Sequence, residues 1–278
     1  MKLLATQILL CTFFLVLALH VGLTTSEEVE DESQFNYDAT SETGPARWGE
    51  IRREWGICRN GSMQSPIDLS SERVQVVAHL GRLKRCYKAS NATLKNRGHD
   101  IMLRWEGDAG SIYVNGTQYL LQQCHWHSPT EHAVNGRRFD LEMHMVHESA
   151  EGKVAVIGVM YKLGRPDTFL SAMMKHIQGI ADTHGAERTV GIVDPKHIKI
   201  GSRKYYRYVG SLTVPPCTQN VLWTIVQKVR TVAREQVKLL REAVRDDSEF
   251  NARPLQAINR RAVQLFSPTD SELESEDP

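Results

Sequence analysis

The sequence predicts a mainly β domain of the α+β class, built on one large, mostly antiparallel sheet with a few short peripheral helices. Two observations carry this. Apolar and β-branched runs bounded by turn residues recur along the chain. No internal linker, fixed-period repeat or low-complexity tract interrupts 46–266. With 278 residues, 41% of them hydrophobic, the chain can bury one sizeable core.

The strands expected in order are Leu120–His127, Phe139–Val146, Val154–Lys162, Tyr205–Thr213 and Val221–Val229. Pro166-Asp167-Thr168 opens a helix reaching about Ile180, because Phe169, Met173, Met174 and Ile177 fall on one helical face. A second helix is expected over Val232–Val244, with Gly- and Pro-punctuated loops elsewhere.

The ends differ from this body. Lys2 precedes an apolar run from Ile8 to Leu23, and Thr24, Thr25 and Ser26 follow. This reads as a secretory signal over 1–26. The run is shorter than the ~20 residues a bilayer span needs, so no stable membrane span is expected after cleavage. Residues 27–45 read as an acidic flexible leader and 267–278 as an acidic flexible tail, flanking one domain over 46–266. Residues 27–32 and 267–278 each carry five acids and no Lys or Arg. Setting those acids and Lys2 aside leaves 33 basic against 23 acidic residues, read as a solvated surface with no nucleic-acid partner. Asn60, Asn91 and Asn115 each open an Asn-x-Ser/Thr triplet and fit glycosylation on a secretory route. Secretion to the exterior is expected, with a plastid stroma reached through that route as the alternative. Cys58, Cys86, Cys124 and Cys217 remain after the signal, and spacing alone leaves three possible pairings.

Five of the eleven histidines lie between 125 and 147. His125 and His127 are two apart, so on a strand they share a face. Asn135-Gly136 is a strong two-residue hairpin signal. Val134 then pairs with Arg137, and continuing that register sets His127 opposite His144. Three imidazoles converge on one face, a donor set that suits Zn2+ with an open catalytic position. Pro129 is the point at which a bulge would shift the register. Gln123 shares the face of His125 and Glu142 that of His144, so both are expected to hold the outer ring nitrogens. The string His144-Met145-Val146-His147-Glu148 is not a His-Glu-x-x-His protease motif. The His-x-His pair lacks the Asp that metallo-hydrolases usually place before their third histidine.

His125-Trp126-His127, Ser128-Pro129-Thr130-Glu131-His132 and Glu142-Met143-His144-Met145-Val146-His147 together resemble the signature of the α-carbonic anhydrases. Gln64-Ser65-Pro66-Ile67-Asp68, Asn96-Arg97-Gly98-His99, Gly210-Ser211-Leu212-Thr213-Val214-Pro215-Pro216, Trp223 and Asn251-Ala252-Arg253-Pro254 extend the likeness over roughly 35–266. The wording is most similar to the plant secretory members. The resemblance implies a twisted sheet of about ten strands with zinc at the bottom of a conical cleft. It implies reversible hydration of carbon dioxide to bicarbonate by a zinc-bound hydroxide, with His99 as proton shuttle. Thr213 would accept a hydrogen bond from that hydroxide and pass its own proton to Glu131, and Asn251 would support the metal ligands. Val146, Val156, Leu212, Val214, Val221 and Trp223 would form the apolar substrate pocket. Tyr37 would join the solvent network, and Cys58 and Cys217 would form a disulfide. The chain departs from the common pattern at Val214, at Arg97, where a neutral amide is usual, and at Met102. The alternative function is a weakly active or inactive storage or binding protein on the same fold.

Overall fold

Alternating side-chain burial along residues 90–127 marks strands with one face turned to a core; the computed structural model describes residues 34–268. The strands are β1 (Val74–Val76), β2 (Lys84–Tyr87), β3 (Ser90–Asn96), β4 (Ile101–Glu106), β5 (Gly110–Val114), β6 (Thr117–His127) and β7 (Leu141–Glu148). They continue with β8 (Val154–Leu163), β9 (Glu187–Val193), β10 (Tyr205–Ser211), β11 (Gln219–Val226), β12 (Arg230–Val232) and β13 (Val263–Phe266). All thirteen join one sheet. Ten form a continuous path, β1-β13-β10-β11-β8-β7-β6-β4-β3-β9, while β12 pairs with β8, and β5 bridges β2 and β6. Only β1/β13, β11/β8 and β12/β8 are parallel. The sheet is therefore mostly antiparallel, as expected, with three strands more than the ten of the path.

β8 explains the position of the parallel pairs. Val154 to Tyr161 are buried throughout, which suits a central strand covered on both faces. Among the described residues, four α-helices accompany the sheet: α1 (Trp48–Ile51), α2 (Ile57–Asn60), α3 (Thr168–Gln178) and α4 (Arg234–Glu242). Asp167 caps α3 by accepting from the Leu170 N–H.

Alternate residues of the central strands feed different cores. Cys124 and Trp126 of β6, Met143 and Met145 of β7, and Ile157 and Val159 of β8 pack with Phe169 and Ile177 of α3 and with Leu240 of α4. On another side, Val156, Leu212, Val221 and Trp223 form a second cluster, with Val146 packed against it. Phe35, Trp48, Trp55, Cys58, Val214 and Cys217 form a third, closed by the Cys58–Cys217 disulfide across 159 residues. Val214 thus sits beside the disulfide and apart from the Trp223 cluster in which the sequence reading put it.

Residues 34–45 also differ from a flexible leader. Phe35 is buried with its ring 5.1 Å from that of Trp48, whose indole N–H donates to the Asn36 carbonyl at 3.1 Å. The aromatic side chains supply an anchor that the acidic composition of the preceding stretch hides. The rest of the leader, the signal and most of the tail lie outside the described residues.

The hairpin register is the clearest correction. Val134 does pair with Arg137 around Asn135 and Gly136, both at positive φ. In the ladder, however, His125 faces His144 and His127 faces Glu142. The register has slipped by two. The slip lies beyond Pro129, since the Thr130 N–H still donates to the Phe139 carbonyl at 3.1 Å in the register of the ladder. Between Thr130 and Val134 the chain turns to another segment, as Ala133 accepts from the Leu69 N–H at 2.8 Å and donates to the Ile67 carbonyl at 3.3 Å. An even slip preserves the side-chain face, so the three histidines still converge although the predicted opposite pair was wrong.

Candidate metal centre

β6 and β7 deliver the three imidazoles from adjacent backbones. Ring centroids are 5.0 Å apart for His125 and His127, 5.2 Å for His125 and His144, and 4.7 Å for His127 and His144. One ligand nitrogen from each lies within 4.8 Å of the others, and all three residues are buried. The other nitrogens are held. His125 Nδ1 lies 2.8 Å from Gln123 Oε1, His127 Nδ1 2.8 Å from the Asn251 carbonyl, and His144 Nε2 3.0 Å from Glu142 Oε1. That orientation aims Nε2, Nε2 and Nδ1 at a common point. His127 Nε2 is buried there without a hydrogen-bond partner.

The electrostatics favour neutral donors. Burial holds His125 well below the ordinary imidazole range, against the pull of Asp100. Burial likewise lowers His144, with Glu142 opposing. Burial disfavours the Glu142 carboxylate, but His132 and His144 hold it well below the usual range. Lone pairs on the inner nitrogens are then available without first releasing a proton. Three imidazole nitrogens, an orphaned buried donor atom and fixed outer contacts fit a zinc ion.

Around this centre, Glu131 is fully buried. Its Oε1 accepts from the Arg253 N–H at 3.0 Å, and its Oε2, which has no hydrogen-bond partner, stands 3.7 Å from His127 Nε2. Thr213 is buried just after β10. The Trp223 ring packs 4.8 Å from that of His144. His99 is completely buried, its ring 6.4 Å from that of Tyr37 and nearly parallel to it. Asn60, Asn91 and Asn115 are exposed.

Several contributors were missed from sequence. His132 Nδ1 lies 2.7 Å from Glu142 Oε1 and its Nε2 2.7 Å from Tyr208 Oη, which in turn is 2.8 Å from Ser65 Oγ. Arg253, buried, donates to Gln64 Oε1, the Ser65 carbonyl and the Cys58 carbonyl. Gly158 faces His144 across the ladder, where a Cβ would come within 2.6 Å of Ile225 Cδ1 and 3.0 Å of Glu142 Oε1. Only Gly158 carried a local signal, a glycine inside an otherwise continuous apolar strand.

A family model for eukaryotic-type carbonic anhydrase matches residues 43–267. The chain belongs to the eukaryotic-type carbonic anhydrase family. Alpha carbonic anhydrase 7 of Arabidopsis thaliana is 59% identical over 259 residues, spanning 93% of this chain and 94% of that protein. Carbonic anhydrase Nec1 of Nesocodon mauritianus is 47% identical, covering 92% and 94%. Among solved structures, dioscorin complexed with ascorbate superposes with a TM-score of 0.83 at 43% identity, over 85% of this chain and 99% of that one. The α-carbonic anhydrase from Thermovibrio ammonificans with sulfanilamide gives 0.76 at 33% identity, over 83% and 98%. The α-carbonic anhydrases are zinc enzymes, and the histidine cluster of this chain is a site of the matching kind. No helix among the described residues is long and apolar enough to cross a membrane.

Proposed function

We infer that this carbonic anhydrase homologue catalyses the reversible, zinc-dependent hydration of carbon dioxide to bicarbonate and a proton. The observation that carries the reading is the convergence of His125 Nε2, His127 Nε2 and His144 Nδ1 with every outer nitrogen already engaged. Zinc, when bound, supplies acidified water as a nucleophile, carbonic anhydrase being the standard case of that chemistry.

The chain's own residues do the rest. Gln123, the Asn251 carbonyl and Glu142 fix the ring orientations, so no rearrangement is needed on binding the ion. Glu131 is anchored through one oxygen by Arg253, which leaves Oε2 as an acceptor for the Thr213 hydroxyl. Thr213 then has only a lone pair to offer, and orients the attacking oxygen by accepting a hydrogen bond from it. Val156, Leu212, Val221 and Trp223, with Val146 at their edge, present an apolar wall that a nonpolar linear substrate can rest against. His99, in the turn between β3 and β4 beside Tyr37, takes up the proton released at each turnover. Entry to the secretory pathway and glycosylation at exposed Asn60, Asn91 and Asn115 belong to the same reading.

Stopped-flow hydration of carbon dioxide by the purified protein, alongside metal analysis, tests it. Stoichiometric zinc and turnover abolished by a chelator are expected. Bound zinc without turnover would favour the storage or binding alternative, and protein that neither carries nor acquires zinc would remove the enzyme reading.

A further inference from the structure

We propose that the Arg97–Asp100 ion pair is a latch holding the His99 ring in one inward orientation, which makes Asp100 a positioning residue for proton release, a role that rests on the hydration reading. The three residues belong to the turn joining β3 to β4, which is closed by the Arg97 N–H donating to the Asp100 carbonyl at 2.9 Å. Gly98 holds φ +88° there, and a Cβ would stand 2.5 Å from His184 Nδ1. The turn brings adjacent side chains to one side. Arg97 Nε donates to Asp100 Oδ1 at 2.8 Å and Nη2 to Oδ2 at 2.6 Å. Asp100 Oδ2 also lies 3.3 Å from His99 Nε2.

All three groups are withdrawn from water, with side-chain exposures of 4% for Arg97 and 0% for both Asp100 and His99. A buried pair adds little net stability over apolar residues of similar size, because desolvation offsets the attraction. What it does provide is direction. The guanidinium fork fixes the carboxylate plane, and the carboxylate favours a proton on His99 Nε2, leaving Nδ1 as the basic nitrogen. The ring is confined on its other sides. Phe35 lies 5.6 Å away and Tyr37 6.4 Å away, centroid to centroid. The backbone is tied as well, since Asn251 Nδ2 donates to the His99 carbonyl at 2.7 Å and the Arg245 N–H to the Gly98 carbonyl at 3.0 Å. Asn251 is the residue whose carbonyl orients His127, so the turn and the metal strand share one support. His99 therefore works from one fixed orientation and does not swing out to solvent.

The latch is read first on the metal-free full-length protein by 15N NMR of the histidine rings, with His99→Gln assigning the signal. One neutral tautomer with Nε2 protonated is expected, giving way to a mixture in Asp100→Ala; identical spectra overturn the proposal. The second arm uses the zinc-loaded protein after hydration by the wild type has been measured. Asp100→Ala should lower kcat about tenfold at low buffer, as expected for a displaced proton acceptor. Concentrated imidazole should restore kcat, and the substitution should lower kcat no further in a His99→Ala background. No recovery with imidazole, or an equal loss of kcat without His99, makes Asp100 merely structural and overturns the proposal. If Asp100→Ala fails to fold, the double change Arg97→Met with Asp100→Asn leaves no unpaired buried charge and serves in both arms. Absence of hydration by the wild type would remove the functional reading, while the NMR arm still judges the latch.

Discussion

Strand β6 shows two faces that solve different problems. Cys124 and Trp126 point into an apolar core shared with α3 and α4, where shape and volume decide stability. His125 and His127, one residue away on the same backbone, point into a buried polar network in which the outer nitrogen of each ring has a named acceptor. An apolar core loses stability in proportion to what is removed, whereas a polar network fails where a single partner is missing. The contrast teaches that burial alone does not define a core here; His127 and Glu142 are as buried as Met143 or Met145.

The comparison can be broken at four places, taken in order of expected effect. His127→Ala should abolish zinc binding while leaving the folded chain intact, as measured by metal content and circular dichroism; retained stoichiometric zinc would contradict the assignment of its Nε2. Trp126→Ala, on the opposite face, should lower unfolding free energy by about 3–5 kcal/mol. Denaturant titration of the metal-free protein checks this, and equal losses from the two substitutions would erase the distinction between the faces.

The third concerns His147, whose ring is buried beside Tyr87 with Nε2 2.8 Å from Tyr87 Oη. Burial pushes it down from 6.5 to about 4, with the Ala155 and Met145 backbone opposing. The folded pKa lies below the unfolded one, so as pH falls the unfolded chain takes up the proton first. Stability should therefore drop from about pH 6.5 to about pH 4 and level off below, by about 3 kcal/mol in all. His147→Gln should remove that part of the slope in metal-free protein; a slope unchanged by the substitution refutes the attribution. The smallest effect is that of Glu142→Gln, which keeps the shape but removes the charge facing His132 and His144. Zinc affinity should weaken by roughly 10–100-fold, measured by competition with a chromophoric chelator.

Much of this was legible in the chain. The strands Leu120–His127, Val154–Lys162 and Tyr205–Thr213 lie within a few residues of β6, β8 and β10, because period-2 burial and glycine punctuation are local properties. The helix opening at Pro166-Asp167-Thr168 is the observed α3, since its cap is a short-range hydrogen bond. The shared face of His125 and His127 needed only strand geometry.

Other features could not be read locally. The two-residue slip between the Asn135-Gly136 turn and the His125–His144 pairing depends on the segment around Ala133 finding residues 67–69, more than sixty positions away. The inclusion of Phe35 in a core depends on Trp48 and Trp55 lying beside a disulfide partner 159 residues from its mate. Likewise Arg253 reaches Glu131, Gln64 and Cys58 only after the chain has closed on itself. Side-chain periodicity follows from backbone geometry over two to four residues, and so the sequence alone determined which residues share a face. Which partner each buried polar atom meets depends on contacts between distant segments, and only the tertiary structure decided that.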